Sequence, residues 1–238
     1  INTADLSGAN LGKVDFSNTS LKNTNLKQAI LDESRFHKTL FNHCDLSQTA
    51  ITDASFSEVD FSHSTMNHFT VSEQDLSSCR FDHCQLNDAS FTQCQLNHAS
   101  FLEAILIKAS FSQCQSVHAN FHRANLENAR FHEECGFTHA NFSNAILLSA
   151  VFQYANLEDS KFDEAEFFMA NFSRSNLQRA SFHRAIGKKA QFVKSDLGGA
   201  KMTSMNLMEG SLMKARLTSA NFEDSNLYGV EFMDATVG

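Results

Sequence analysis

Every fifth residue of this chain is apolar, and few architectures accept that spacing. The series Leu6, Leu11, Phe16, Leu21, Leu26 runs on to Phe131 through 26 positions and is broken only by Ser116. After one added residue it resumes at Phe137 and reaches Val237 through 21 more, broken only by Gly187. These 47 central positions carry 45 apolar side chains and 21 of the 23 Phe. A period of five matches neither a helix near 3.6 nor a strand of period 2, so each unit is a short extended piece closed by a turn. Two residues before each centre stands a small side chain, as at Ala4, Ala9, Thr24, Ala54, Ala89 and Ala109. Extended chain alternates its side chains, so the small residue and the centre share the inner face while the polar residues between them point out.

A longer period lies in the choice of central residue. Stepping by twenty from Phe41 gives Phe61, Phe81, Phe101 and Phe121, then, past the added residue, Phe142, Phe162 and Phe182. The same step from Leu6 gives Leu26, Leu46, Met66, Leu86 and Leu106. Four five-residue units therefore form one spatial repeat, like stacked on like. The units Ala4-Asp5-Leu6-Ser7-Gly8, Ala119-Asn120-Phe121 and Ala220-Asn221-Phe222 resemble the Ala-(Asp/Asn)-(Leu/Phe)-(Ser/Thr)-x pattern of pentapeptide-repeat proteins along essentially the whole chain. That resemblance implies an all-β fold, a right-handed quadrilateral parallel β-helix or solenoid. At ~4.8 Å per coil, about twelve coils make a rod on the order of 57 Å long. One domain is expected over 1–238, with a frame slip near 133–137 at Cys135-Gly136. The chain has no Pro, which suits a ladder that needs nearly every backbone N–H. Terminal caps are expected of a repeat stack, and neither end reads as one, so a longer parent chain or partner-covered ends are the expectation. Phe69 and Gln74 occupy the small inward position, and a bulge is expected over 66–71.

The chemistry-bearing residues fall into the same frame. Cys44, Cys79, Cys84, Cys94, Cys114 and Cys135 all take the small inward position, where reduced structural thiols are expected rather than disulfides or a zinc site. His43, His63 and His83 share one outward corner in successive coils, and His98, His118 and His139 share another; the reading is polar surface, with metal binding or pH sensing as the alternative. No nucleophile elbow, phosphate loop, dinucleotide fingerprint or zinc-protease motif occurs, and a convex rod lacks a pocket, so no enzyme, cofactor or metal is expected. No apolar run approaches 18 residues and no signal peptide opens the sequence, which predicts a cytoplasmic chain without a membrane span, or one exported by a specialised bacterial system. The net charge of -8 disfavours direct nucleic-acid binding.

Two functions compete on this reading. The first is a non-enzymatic protein-protein scaffold or adaptor; the stretch 206–215 resembles pentapeptide regions of type VI secretion proteins. The second is a DNA-mimicking rod that binds DNA gyrase or topoisomerase, as the resemblance to quinolone-resistance members implies. Mimicry needs clustered acid; Glu33, Asp53 and Glu73 stack on one corner, but Lys13 precedes them and Lys194 and Lys214 follow. The position after the centre turns apolar late in the chain. Leu148, Phe168, Met208 and Tyr228 line one face, with Lys188 among them, and Val193, Met213 and Met233 line the next. These seven residues form the expected interface, taking a protein partner, a flanking domain or a second copy in a homodimer through the C-terminal half.

Overall fold

An extended triplet around each centre directs backbone N–H and C=O groups sideways, and they find partners one coil away. Leu6 N donates to Asn25 O at 2.8 Å, and Asn25 N donates back to Ala4 O at 2.9 Å. The computed structural model, which describes residues 2–237, repeats this exchange along the chain. Parallel bridges link Asp5, Asn25, Asp45, Thr65, Gln85, Ile105, Asn125, Ile146, Glu166, Ile186, Asn206 and Asn226 in succession. The step is twenty residues, so four units close one turn of an all-β parallel solenoid with no helix among the described residues.

Eight triplets are regular enough to be strands: β1 (Arg35–His37), β2 (Ser55–Ser57), β3 (Thr70–Ser72), β4 (Ser90–Thr92), β5 (Ser110–Ser112), β6 (Gln115–Val117), β7 (Arg130–His132) and β8 (Gly136–Thr138). All pair in parallel, as β1-β2, β3-β4-β5-β7 and β6-β8, with Phe91 opposite Phe111 and Phe111 opposite Phe131.

Most units turn in the same way: the centre's carbonyl accepts from the N–H three residues on, as Ala9 N to Leu6 O at 3.1 Å, a bond that the units of β1 to β7 do without. The residue two after the centre forms the corner in a left-handed conformation, with φ between 52° and 65° wherever it is not Gly. That backbone costs an L-residue about 1–2 kcal/mol. It persists because the corner N–H is itself a rung of the ladder, as in Lys13 N to Asp32 O at 2.8 Å.

The N–H after the centre is off the ladder, and its partner explains the Asp and Asn of the repeat. Asp5 Oδ1 accepts from Ser7 N at 3.0 Å, and Asp15, Asn25 and Asp45 do the same in their units. In several units without that residue, the coil before supplies the oxygen: Asp82 Oδ1 accepts from Leu102 N at 3.1 Å, and Asp163 Oδ1 from His183 N at 2.9 Å. Inward hydroxyls and thiols mostly donate to the carbonyl of a centre in the preceding coil, while Thr49, Ser175 and Ser195 donate to the centre just before them. Thr39 Oγ1 donates to Phe16 O at 2.9 Å, Cys84 Sγ to Phe61 O at 2.9 Å and Ser160 Oγ to Phe137 O at 2.8 Å.

The core is two ladders of Phe that meet edge to face. Phe81, Phe101, Phe121, Phe142 and Phe162 stack with ring centroids 4.8–4.9 Å apart. Phe91, Phe111, Phe131 and Phe152 form the second stack, and Phe101 meets Phe111 at 5.9 Å and 90°.

Where the pattern breaks, volume is exchanged between neighbours. A Cβ at Gly187 would lie 2.1 Å from the Phe167 ring, so Phe167, a Phe in a Leu column, takes the room that Gly187 vacates. Ser116 stands one coil before Phe137 in the same way and bonds Leu96 O at 2.8 Å. The bulge expected over 66–71 is absent. Phe69 is buried at the inward position, Phe69 N keeps its turn bond to Met66 O at 3.1 Å, and Thr70–Ser72 pairs in register with Ser90–Thr92. The Phe69 ring lies tilted against Phe91, 6.1 Å away. The added residue is Glu134, within the run 133–137 where the slip is expected. Glu133 and Glu134 are both left-handed, so the corner lengthens while Cys135 stays inward and Phe137 central. A Cβ at Gly136 would meet Gln115 Oε1 at 2.2 Å, so a larger residue there would displace the Gln115 side chain from its bond to Glu134 O.

Replacing Gly187 by Leu alone is expected to cost ~1–3 kcal/mol by overpacking, and Phe167→Leu alone about 1 kcal/mol by leaving a void. The double variant restores the Leu column, so urea denaturation should show a favourable coupling of roughly 0.5–3 kcal/mol. Strictly additive losses would mean that the Phe167 ring does not fill the Gly187 site.

Candidate interaction surface

Chemistry has little purchase on the rod. All six thiols are free and buried, and burial pushes Cys79 and Cys84 up to about 12, far from the thiolate a nucleophile needs. A shallow hollow lined by Asn10, Gly12, Lys13, Ile30, Asp32 and Glu33 holds the Lys13–Glu33 ion pair at 3.4 Å and no paired nucleophile and base. Among the described residues no helix is long and apolar enough to cross a membrane.

The histidine corners are stacks. His43, His63 and His83 lie with centroids 4.8 and 4.6 Å apart and planes within 9° of parallel, and His98, His118 and His139 follow at 5.3 and 4.9 Å. Flat-on stacking offers ring faces to one another, not converging lone pairs. Among the described residues no group of three potential ligands is arranged to hold a metal ion. Burial against its neighbours, and then the charges of His83 and His43, hold the His63 pKa below the ordinary 6.5, outweighing Asp60 and Asp82.

The seven residues of the expected interface fall into two columns. Ladder bonds place Leu148, Phe168, Lys188, Met208 and Tyr228 in successive coils, through Ser149 N to Phe168 O, Met169 N to Lys188 O, Lys189 N to Met208 O and Glu209 N to Tyr228 O. Val193, Met213 and Met233 line the adjoining face through Lys194 N to Met213 O and Lys214 N to Met233 O. The corner between them carries the Lys189–Glu209 ion pair at 3.4 Å, so the columns do not merge into one patch. The first column instead widens along its own face. Ile146 and Ile186 stand two residues before Leu148 and Lys188 in the ladder, and Met169 adjoins Phe168. Ile186 is 45%, Phe168 40% and Met169 54% exposed. The reading of the sequence missed Ile146, Ile186 and Met169; the signal was Ile at a position that carries a capping Asp or Asn in six of the twelve coils. No side-chain oxygen caps the N–H of Leu148, Phe168 or Lys188 among the described residues.

Charge is divided along the axis. Residues 40–160 contain fourteen Asp or Glu against four Lys or Arg, whereas residues 161–216 contain ten Lys or Arg against five acids. No face is acidic from end to end.

Residues 3–37, 29–67, 134–167 and 165–203 match the model described as pentapeptide repeats (8 copies), and residues 72–134 match the pentapeptide repeat region model. Among solved structures, the chain is similar to HetL, a pentapeptide repeat protein involved in heterocyst differentiation regulation from the cyanobacterium Nostoc sp. strain PCC 7120. The TM-score is 0.72 at 22% identity, covering 95% of this chain and 92% of that one. Full-length QnrB1, a plasmid-mediated fluoroquinolone resistance protein, aligns at a TM-score of 0.41 and 16% identity over 100% and 93% of the two chains. No curated protein sequence matches the chain. The resemblance of 206–215 to type VI secretion proteins finds no support among these relatives.

A histidine whose pKa is lowered on folding leaves stability whole above its unfolded value and erodes it as pH falls toward the folded one. The melting temperature should therefore decline as pH drops below 6.5. The decline should be shallower in His63→Gln. Parallel melting profiles for the two proteins would show that the stack is not coupled to folding.

Proposed function

Because the chain belongs to the pentapeptide-repeat family, in which a rigid coil stack carries its variable residues outward, we propose that it is a non-enzymatic protein-binding rod. The observation that carries the reading is the apolar face of Ile146, Leu148, Phe168, Met169, Ile186 and Met208. In six of its twelve coils this face spends the position before the centre on an Asp or Asn that caps the backbone. Here Ile146 and Ile186 give up that local stabilisation and expose hydrocarbon, a departure that folding alone does not favour. Lys188 lies inside the patch and makes no ion pair among the described residues. The partner that fits is a protein segment with an apolar face and carboxylates beside it. Six free thiols suit a reducing compartment such as the cytoplasm.

Gyrase mimicry is the weaker reading. A duplex presents negative charge along its whole length, and the basic stretch 161–216 interrupts any such surface. Micromolar protein is expected to leave gyrase supercoiling unaffected.

The reading is tested by capturing partners on the wild-type rod, identifying them, and measuring direct binding by calorimetry. Phe168→Asp with Met208→Asp should weaken that binding by about a hundredfold, in the range of a central hot spot. Lys188→Glu should weaken it by about tenfold through charge reversal. A partner bound equally well by a folded double variant would place the interface on another face.

A further inference from the structure

One corner of the rod carries a charge sequence that is its own complement when read backwards. The left-handed corner residues following the Phe91–Phe111–Phe131 face are, coil by coil, Lys13, Glu33, Asp53, Glu73, Gln93, Gln113, Glu133, Tyr154, Arg174, Lys194, Lys214 and Asp234. All are exposed. Acids stack on acids in the first half of this edge and bases on bases in the second. Among the described residues, Lys or Arg neutralises this edge only at its ends, by Lys13–Glu33 at 3.4 Å and Lys214–Asp234 at 4.0 Å, and Glu133 lies 3.8 Å from His132. Asp53, Glu73 and Lys194 make no ion pair among the described residues, and Arg174 rests on the Tyr154 ring at 5.5 Å. Like charges one strand spacing apart repel, so the isolated rod carries an unfavourable field at both halves of this edge.

We infer that two copies of the chain pair side by side and antiparallel along this corner. A two-fold axis between the Gln113 and Glu133 coils sets Lys13 against Asp234, Glu33 against Lys214, Asp53 against Lys194 and Glu73 against Arg174. Symmetry repeats each pair, as an isologous contact requires. Every charge on the edge except Glu133 then faces its opposite. At the axis Gln113 faces Glu133, with the added Glu134 beside it, and an amide and a carboxylate are compatible there. In the residues flanking the corner, only Arg35 against Arg216 brings like charges together, and Arg216 is already engaged by Asp196 at 3.0 Å. The other corners have no such symmetry. Centred in the same way, they yield at most one opposed pair of fixed charges each, Glu58 with Arg179 or Glu103 with Arg123. A parallel arrangement would set Asp53 against Asp53 and Lys194 against Lys194.

The pairing uses a different edge from the apolar face and does not depend on what that face binds. Two convex edges bury little hydrocarbon, so the association rests on charge and responds to salt. Light scattering and sedimentation should give a dimer at about 0.01 M salt, where the screening length is roughly 30 Å, and a monomer at about 1 M, where it is roughly 3 Å. Asp53→Lys with Glu73→Lys, and separately Arg174→Glu with Lys194→Glu, should each be folded monomers at low salt. Mixed in equal amounts, the two variants should form a heterodimer, because each then supplies what the other lacks. A wild-type chain that stays monomeric at low salt would overturn the inference. So would a dimer that survives both reversals, or reversed variants that fail to associate on mixing.

Discussion

The backbone exchange between coils is the interaction on which everything else in this molecule rests. Each coil is held by N–H groups that donate forward at the centre and the corner, and by carbonyls that accept from the coil after. No single coil has this stabilisation by itself, because the donors and acceptors of the exchange point along the axis. The ladder makes left-handed corners affordable for residues as varied as Tyr154, Arg174 and Glu33. It also accounts for a sequence without Pro, since a missing N–H would leave an unpaired carbonyl in the neighbouring coil.

Side chains then solve the problems that the ladder leaves open. In many units the amide after the centre is outside the exchange, and an Asp or Asn oxygen reaches it from two residues before or from one coil below. The centre's carbonyl has a spare lone pair, and an inward Ser, Thr or Cys fills it. Cysteine in this protein is therefore a packing residue with a weak donor. The core beyond these contacts is a problem of volume, solved by pairs: Phe167 with Gly187, and Phe137 with Ser116.

Much of this was legible from the chain because the period is short and the inner face unforgiving. The centres, the stacked Phe columns, the placement of all six Cys and the stacked His corners follow from counting by five and by twenty. Reading failed where a position's neighbours lie twenty residues away. Phe69 looked too large for its place, but its ring finds a partner in Phe91, one coil away. The added residue could be narrowed to the run Glu133 to Gly136, but only backbone geometry shows that Glu134 extends a corner. The apolar face was half seen. The column after the centre was read, while Ile146 and Ile186 in the column before it were passed over, although both project from the same side.

The extra residue at Glu134 shows how such a rod can tolerate change in its gene. A residue added within an extended triplet would turn every later side chain inside out, moving apolar groups to water. Added at a corner, it contributes no inward group, and all later coils keep their faces aligned with those before. The four corners are thus the places where codons can be gained without penalty to the core, while lengthening of the rod itself proceeds by whole coils. Insertions confined to corners would let lineages decorate an edge with loops of any length on an unchanged frame.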